Sequence, residues 1–174
     1  MALGYGAITH QVRQDIPELR DTVSELRELC DRYGFAYYRD WALVLDGWSR
    51  MDEPGIGLAR QGISNLRSAG SFARMPYWLS LLADLLARSN RPAAARATLD
   101  AALAAGQARD DLWWLPEVMR MRAAHDAGEA ARSRLRSAAQ LAAAHGSVAL
   151  LRRCERDLAE RGVGPSIAGV LPTA

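Results

Sequence analysis

The sequence predicts an all-α protein, a solenoid of antiparallel helical hairpins, on three observations. The first is the stretch 76–107, PYWLSLLADLLARSNRPAAARATLDAALAAGQ, which reads as two short amphipathic helices folded back around an Asn-Arg-Pro turn. Leu79, Leu82, Ala83 and Leu86 fall at the i, i+3, i+4, i+7 spacing of one helical face, and Ala95, Leu99, Ala102 and Leu103 line the returning helix. The second is that such a hairpin leaves one apolar side uncovered and needs neighbours of its own kind. The third is register. Moving on by 36 residues from Leu79, Leu82, Ala83, Leu86, Ala95, Leu99 and Ala102 lands on Leu115, Val118, Met119, Arg122, Ala131, Leu135 and Ala138, all apolar but one. Moving back by 38 in the first helix lands on Trp41, Val44, Leu45 and Trp48. A two-residue adjustment within MDEPG then brings Ala59, Ile63 and Leu66 into place.

Each element has its own signals. Residues 1–14 carry too little apolar pattern for a full helix and read as the tail of a helix or a frayed terminus. Asp15 is placed to cap the next helix, with Pro17 just inside it and Glu18 in its first turn. That helix runs to about Tyr33, buries Leu19, Val23, Leu26 and Cys30, and stops at Gly34. A helix over about 35–51 repeats Tyr37, Trp41, Val44, Leu45 and Trp48 at intervals of three to four. Asp52 caps the next, about 54–69, which starts at Pro54 and buries Ile56, Ala59, Ile63 and Leu66. The linker SFARM leads into the central hairpin. A sixth helix is expected over about 111–126, capped by Asp110 or Asp111, with Pro116 either in its first turn or kinking it. The seventh, about 128–145, buries Ala131, Leu135, Ala138 and Leu141; the eighth, about 147–161, is capped by Ser147 and buries Leu150, Leu151, Cys154 and Leu158. The helical domain therefore spans 1–161, and the Gly- and Pro-bearing stretch 162–174 reads as a loose tail.

Composition narrows the function classes. No run approaches the roughly 18 uninterrupted apolar residues of a membrane span, and MALGYGAITHQ lacks the pattern of a signal peptide. A cytoplasmic protein without a membrane partner is expected. The net charge of +2 is too small to argue for nucleic acid, although residues 1–87 hold 9 Arg against 11 acids and residues 88–174 hold 13 against 9. All 22 basic residues are Arg, which with the many alanines reads as the codon bias of a GC-rich genome. Cys30 and Cys154 are far apart and read as small core residues, not as a disulfide or metal site.

Catalytic signatures are missing. There is no G-x-x-x-x-G-K-[ST] loop and no G-x-S-x-G elbow, and the GIG at 55–57 falls inside a helix. His10, His125 and His145 stand apart from one another and follow helix ends, where the dipole favours them. No enzyme, cofactor or metal is expected. Arg120, Arg122, Arg132, Arg134 and Arg136 either meet phosphates or form a solvated face paired with Glu117, Asp126 and Glu129. Trp41 and Trp48, seven apart on one face, read as core. Tyr77-Trp78 and Trp113-Trp114 are adjacent pairs pointing about 100° apart, so one member of each is expected at the surface as a candidate contact.

The pattern of Trp41, Trp48, Ala83, Ala95 and Ala102 resembles the tetratricopeptide repeat, which implies a right-handed α-solenoid. The Pro that ends each repeat in that family is missing, and two repeats exceed its usual length of about 34 residues. A second resemblance covers residues 30–155 through CDRYGFAYYRDWALVLDGWSR, GISNLRSAGSFARMPYWLSLLADLLARSNRPAAARATLDAAL, WWLPEVMRMRAA and AAAHGSVALLRR. These are similar to the C-terminal repeat region of bacterial signalling proteins in which a class III adenylate cyclase domain or a LuxR-type DNA-binding domain accompanies an AAA-type ATPase core. The resemblance implies a repeat region whose catalytic, ATP-binding and DNA-binding partners lie in other domains. It also implies either an excised fragment or a short stand-alone relative.

In stacked hairpins of the tetratricopeptide kind the first helix of each repeat lines the concave face. The register then nominates Arg39, Asp46 and Arg50 in one repeat, Tyr77, Asp84 and Arg88 in the next, and Trp113 and Arg120 in the third. Asp46/Arg50 and Asp84/Arg88 are equivalent i, i+4 pairs, read either as helix-stabilising surface pairs or as a groove of alternating charge for a peptide of both signs. The expected function is a non-catalytic protein–protein or intramolecular interaction scaffold in bacterial signalling or transcription regulation. The alternative is a sensor domain binding a small effector in the concave groove. If the first hairpin is truncated, its face at Leu19, Val23 and Leu26 is expected to pair with a second copy as a homodimer.

Overall fold

The computed structural model describes residues 1–162, and among them every regular element is an α-helix. In chain order these are α1 (Ala2–Arg13), α2 (Ile16–Tyr33), α3 (Ala36–Arg50), α4 (Glu53–Ser68), α5 (Met75–Arg88), α6 (Pro92–Arg109), α7 (Leu115–Ala123), α8 (Gly128–Ala144) and α9 (Val148–Glu160). The chain divides into two compact units, Met1–Ala102 and Leu103–Ala174, the second described to residue 162. The tail expected over 162–174 lies, from residue 163, outside the described residues.

Within the first unit each helix packs on the next, α1 on α2, α2 on α3, α3 on α4 and α4 on α5, and the odd-numbered helices also meet, α1 with α3 and α3 with α5. The second unit repeats the scheme, α7 on α8, α8 on α9, and α7 on α9. This is the arrangement of consecutive helical hairpins, and the expected core positions are where it is buried. Leu19, Val23, Leu26 and Cys30 of α2, Trp41, Val44, Leu45 and Trp48 of α3, and Ile56, Ala59, Ile63 and Leu66 of α4 are all buried. So are Ala95, Leu99 and Ala102 of α6 and their counterparts 36 residues on in α8, Ala131, Leu135 and Ala138.

The boundaries follow from local chemistry. Pro17 and Pro54 stand in the first turns of α2 and α4. Asp52 caps α4, its Oδ1 accepting from the Gly55 backbone N–H at 2.7 Å. Gly34 takes the left-handed conformation that ends α2 and returns its N–H to the Cys30 carbonyl at 2.8 Å. The α3/α4 hairpin closes unusually tightly. A Cβ on Gly47 would run into the Gly55 carbonyl oxygen and come within 2.9 Å of the Ala59 nitrogen, and one on Gly62 would lie 2.7 Å from the Asp40 carbonyl oxygen.

Five expectations are corrected. The N-terminal stretch is a full helix, α1, whose buried face is Gly4, Ala7, Ile8 and Gln11. Small residues and an amide make that face, so a count of large apolar groups misses it. The sixth helix begins at Leu115, not 111, and neither Asp110 nor Asp111 caps it, because Pro116 sets the first turn and Trp114 precedes it. Tyr77 and Trp78 are both fully buried. The reason is that α5 is enclosed from several sides: Trp78 packs on Trp41 with ring centroids 5.2 Å apart, and the Tyr77 hydroxyl donates to Gln11 Oε1 at 2.8 Å. In the last two helices Leu141 and Leu151 are only half-buried, and Ala139 and Ala142 take the closer contact positions. Finally, Leu19, Val23 and Leu26 are buried within the chain, where α1 and α3 pack on α2. That face is thus unavailable to the homodimer built on it.

Candidate functional site

The first unit opens a cleft of about 360 Å³ between α2 and α3, lined by Arg20, Val23, Ser24, Arg27, Glu28, Asp31, Asp46 and Arg50. Helical spacing explains it: Arg20, Ser24, Arg27 and Asp31 form a polar stripe beside the buried Leu19, Val23, Leu26 and Cys30 of the same helix. Asp46 stands at its centre. Its Oδ2 accepts from Arg27 Nη1 at 2.9 Å and from Arg50 Nη2 at 3.0 Å, while Oδ1 accepts from Arg50 Nε at 2.9 Å. Arg20 Nη2 donates to the Ser49 carbonyl at 2.8 Å, which ties α2 to the last turn of α3. The Asp46 carboxylate holds the Arg50 guanidinium above its ordinary pKa, first by the hydrogen bonds and then by charge. Arg27 and Arg50 are 45% and 44% exposed, whereas Asp46 is 14% exposed. The cleft thus shows water two oriented guanidinium groups over a largely covered carboxylate, with Glu28 and Asp31 on its wall.

The equivalent pair in α5 does something different. Asp84 Oδ1 accepts from Arg88 Nε at 3.0 Å, but its Oδ2 accepts from the Trp48 indole at 2.8 Å, so it fastens α5 to α3. Arg88 Nη1 also reaches Met51 Sδ at 3.3 Å. Both carboxylates therefore point back to the preceding helices: Asp46 to α2, Asp84 to α3. Arg39 is exposed in the first turns of α3 and does not line the cleft. Tyr77 is core. Trp113 precedes α7 in the connection after α6 and is exposed. Arg120 is half-buried in a network of the second unit: its guanidinium grips Glu117 at 2.9 Å twice and Asp157 at 2.7 Å, and Arg153 reaches the same Glu117 at 3.0 Å.

The five arginines of the second unit meet carboxylates as the paired alternative expects. Arg122 and Arg134 share Asp126, each at 2.6 Å, and Arg132 and Arg136 share Glu129 at 2.9 and 2.7 Å. Burial pushes the Glu117 carboxyl up, but Arg120 and Arg153 outweigh it and hold it below the usual range; Arg134 and Arg122 do the same for Asp126. Burial pushes the Cys154 thiol up to about 12 and raises Cys30 as well, so neither is poised as a nucleophile.

The α2 side of the cleft, Arg20, Ser24, Arg27, Glu28 and Asp31, was not among the expected contacts. Its signal is present in the sequence as the polar stripe at helical spacing. It is passed over when only the first helix of each repeat is searched.

Among the described residues no three His, Cys, Asp or Glu side chains gather as a metal site, and no helix is long and apolar enough to cross a membrane. No family profile matches the chain. No solved structure matches it. It is similar to an uncharacterized protein of Rhizobium meliloti (strain 1021), 27% identical over 166 residues that cover 90% of this chain and 16% of that protein. The chain thus spans 16% of the length of the relative it matches.

Proposed function

We propose that this chain is a non-catalytic interaction region of the tetratricopeptide-like kind, acting within a bacterial signalling or transcription-regulatory protein, and that the α2/α3 cleft docks a peptide segment carrying both charges. The observation that carries the reading is Asp46 held between two half-exposed arginines, 2.9 Å from each. An acidic side chain of the segment meets the outward N–H groups of Arg27 and Arg50, which Asp46 has already oriented, and a basic one meets Glu28 and Asp31. Orientation before binding reduces the entropy lost on docking. The coverage of the Rhizobium relative fits a region that works as part of a longer chain. The effector-sensor alternative receives no comparable support, since Tyr77 and Trp78 fill the space between α1, α3 and α5 with protein.

The test is affinity capture from the source lysate with the wild type and with Arg27→Glu/Arg50→Glu as baits, the two matched for helicity by circular dichroism. A protein retained by the wild type and lost by the variant is expected. The same proteins on both baits would contradict the cleft assignment.

A further inference from the structure

A second cleft, of about 510 Å³, opens in the second unit where the α6–α7 connection meets the α8–α9 connection. Asp110, Asp111, Leu112, Trp113, His145 and Ser147 line it. Its most telling feature is an aromatic one. Trp113 is 40% exposed and is braced by the buried Trp114, ring centroids 5.0 Å apart, so a large rigid face is held at the surface without being absorbed into the core. Such aromatic faces are the usual anchors of protein contacts, since they bring area with little entropy to lose.

The electrostatics have one sign. α6 ends at Arg109 and α8 at Ala144, immediately before the lining residues, so the negative ends of two helices face the cleft together with two carboxylates. The backbone adds a further point. After α2, α4 and α8 the left-handed position is held by Gly34, Gly70 and Gly146, with φ of 72°, 70° and 66°. After α6 the same position is Asp110, φ 54°. Glycine would adopt that conformation at lower cost. What aspartate adds there is a carboxylate on the cleft.

We infer that this cleft binds a basic segment of a protein partner, with an arginine or lysine side chain laid on the Trp113 indole and its charge against Asp110 and Asp111. A guanidinium suits the site best, because it stacks flat on an indole while its edge still reaches carboxylates. His145 and Ser147 supply hydrogen-bonding groups for the segment's main chain. Nucleic acid, which brings its own negative charge, is repelled by the same field. The site is separate from the α2/α3 cleft, and either assignment can fail without the other.

The experiment measures fluorescence anisotropy of a fluorescein-labelled GRGRGRG peptide against the full chain, with GQGQGQG as the uncharged control, at about 50 mM salt where surface charge is weakly screened. Asp110→Gly is the informative variant, because glycine fits the left-handed position and leaves the fold intact. It is expected to melt at or above the wild-type temperature yet bind the arginine peptide roughly fivefold more weakly. Trp113→Ala is expected to weaken binding by roughly tenfold or more. Equal affinity of the wild type for the two peptides, or arginine-peptide binding unchanged in both variants, would overturn the proposal.

Discussion

In α5 two leucines, Leu81 and Leu86, lie in the core; 36 residues later α7 buries Glu117 and Arg122 at the same register positions, 5% and 4% exposed. The two units thus share a spacing and differ in what fills it. In the first, helices meet through aromatic and aliphatic contacts and through glycines that bring α3 and α4 nearly backbone to backbone. In the second, Arg153, Glu117, Arg120 and Asp157 link α7 to α9, and Arg122, Asp126 and Arg134 link α7 to α8. The difference teaches that a repeat position is specified by burial before polarity. A buried charge is acceptable where neighbouring helices supply its partners. The arginines divide along the same line. Those of the second unit hold helices together, while Arg27 and Arg50 of the first lie half-exposed on a cleft.

The largest effect expected from breaking this contrast is at Glu117. Glu117→Ala leaves Arg120 and Arg153 without a shared carboxylate in a largely buried place and should cost about 3 kcal/mol, read from chemical unfolding. A loss below about 1 kcal/mol would show that the network is not what holds α7 to α9. Next comes Gly47→Ala, expected to destabilise the first unit by about 1–3 kcal/mol because the methyl group forces α3 and α4 apart. Gly57→Ala, on the same hairpin with nothing within 4 Å of its Cβ, should be neutral or stabilise by about 0.5–1 kcal/mol. If the two substitutions behaved alike, close backbone approach would not be the cause.

Acid should separate the units next. Glu117, Asp126 and Glu129 are held below their ordinary range by arginines, so their contribution is fully present above the unfolded value of about 4 and is lost as pH falls through the folded values. Hydrogen exchange, corrected for intrinsic rates, should show α7–α9 losing protection below about pH 4 before α3 and α4 do. Opening of α3 and α4 first would reverse the comparison. The smallest effect is Arg88→Ala. That side chain is 45% exposed, and its i, i+4 pair is worth about 0.2–0.5 kcal/mol in urea unfolding.

The contrast also explains what could be read beforehand. α2 and α4 were legible because their cores are large and apolar and their ends carry Pro17, Gly34, Asp52 and Pro54. The face of α1 was not, because Gly4, Ala7 and Gln11 are buried through fit and a hydrogen bond, neither of which periodicity registers. Arg122 broke the apolar register, and only Asp126 one turn on hinted that it could be buried. Tyr77 was misplaced because a single helical face was allotted to the core, whereas α5 is enclosed on several sides. Of the candidate contacts, Asp46 and Arg50 come together on one cleft. Their α2 partners were missed, since Arg27 lies 19 residues from Asp46 and nothing local couples them.

The central claim is that the first unit's arginines can be spared by the fold and the second unit's cannot. Thermal unfolding of Arg27→Ala/Arg50→Ala beside Arg120→Ala/Arg153→Ala tests it most directly. The first pair should lower the midpoint by about 2 °C or less and the second by about 6 °C or more. Equal shifts, or the larger one in the first pair, would contradict the account and make the α2/α3 cleft a structural joint instead of a docking site.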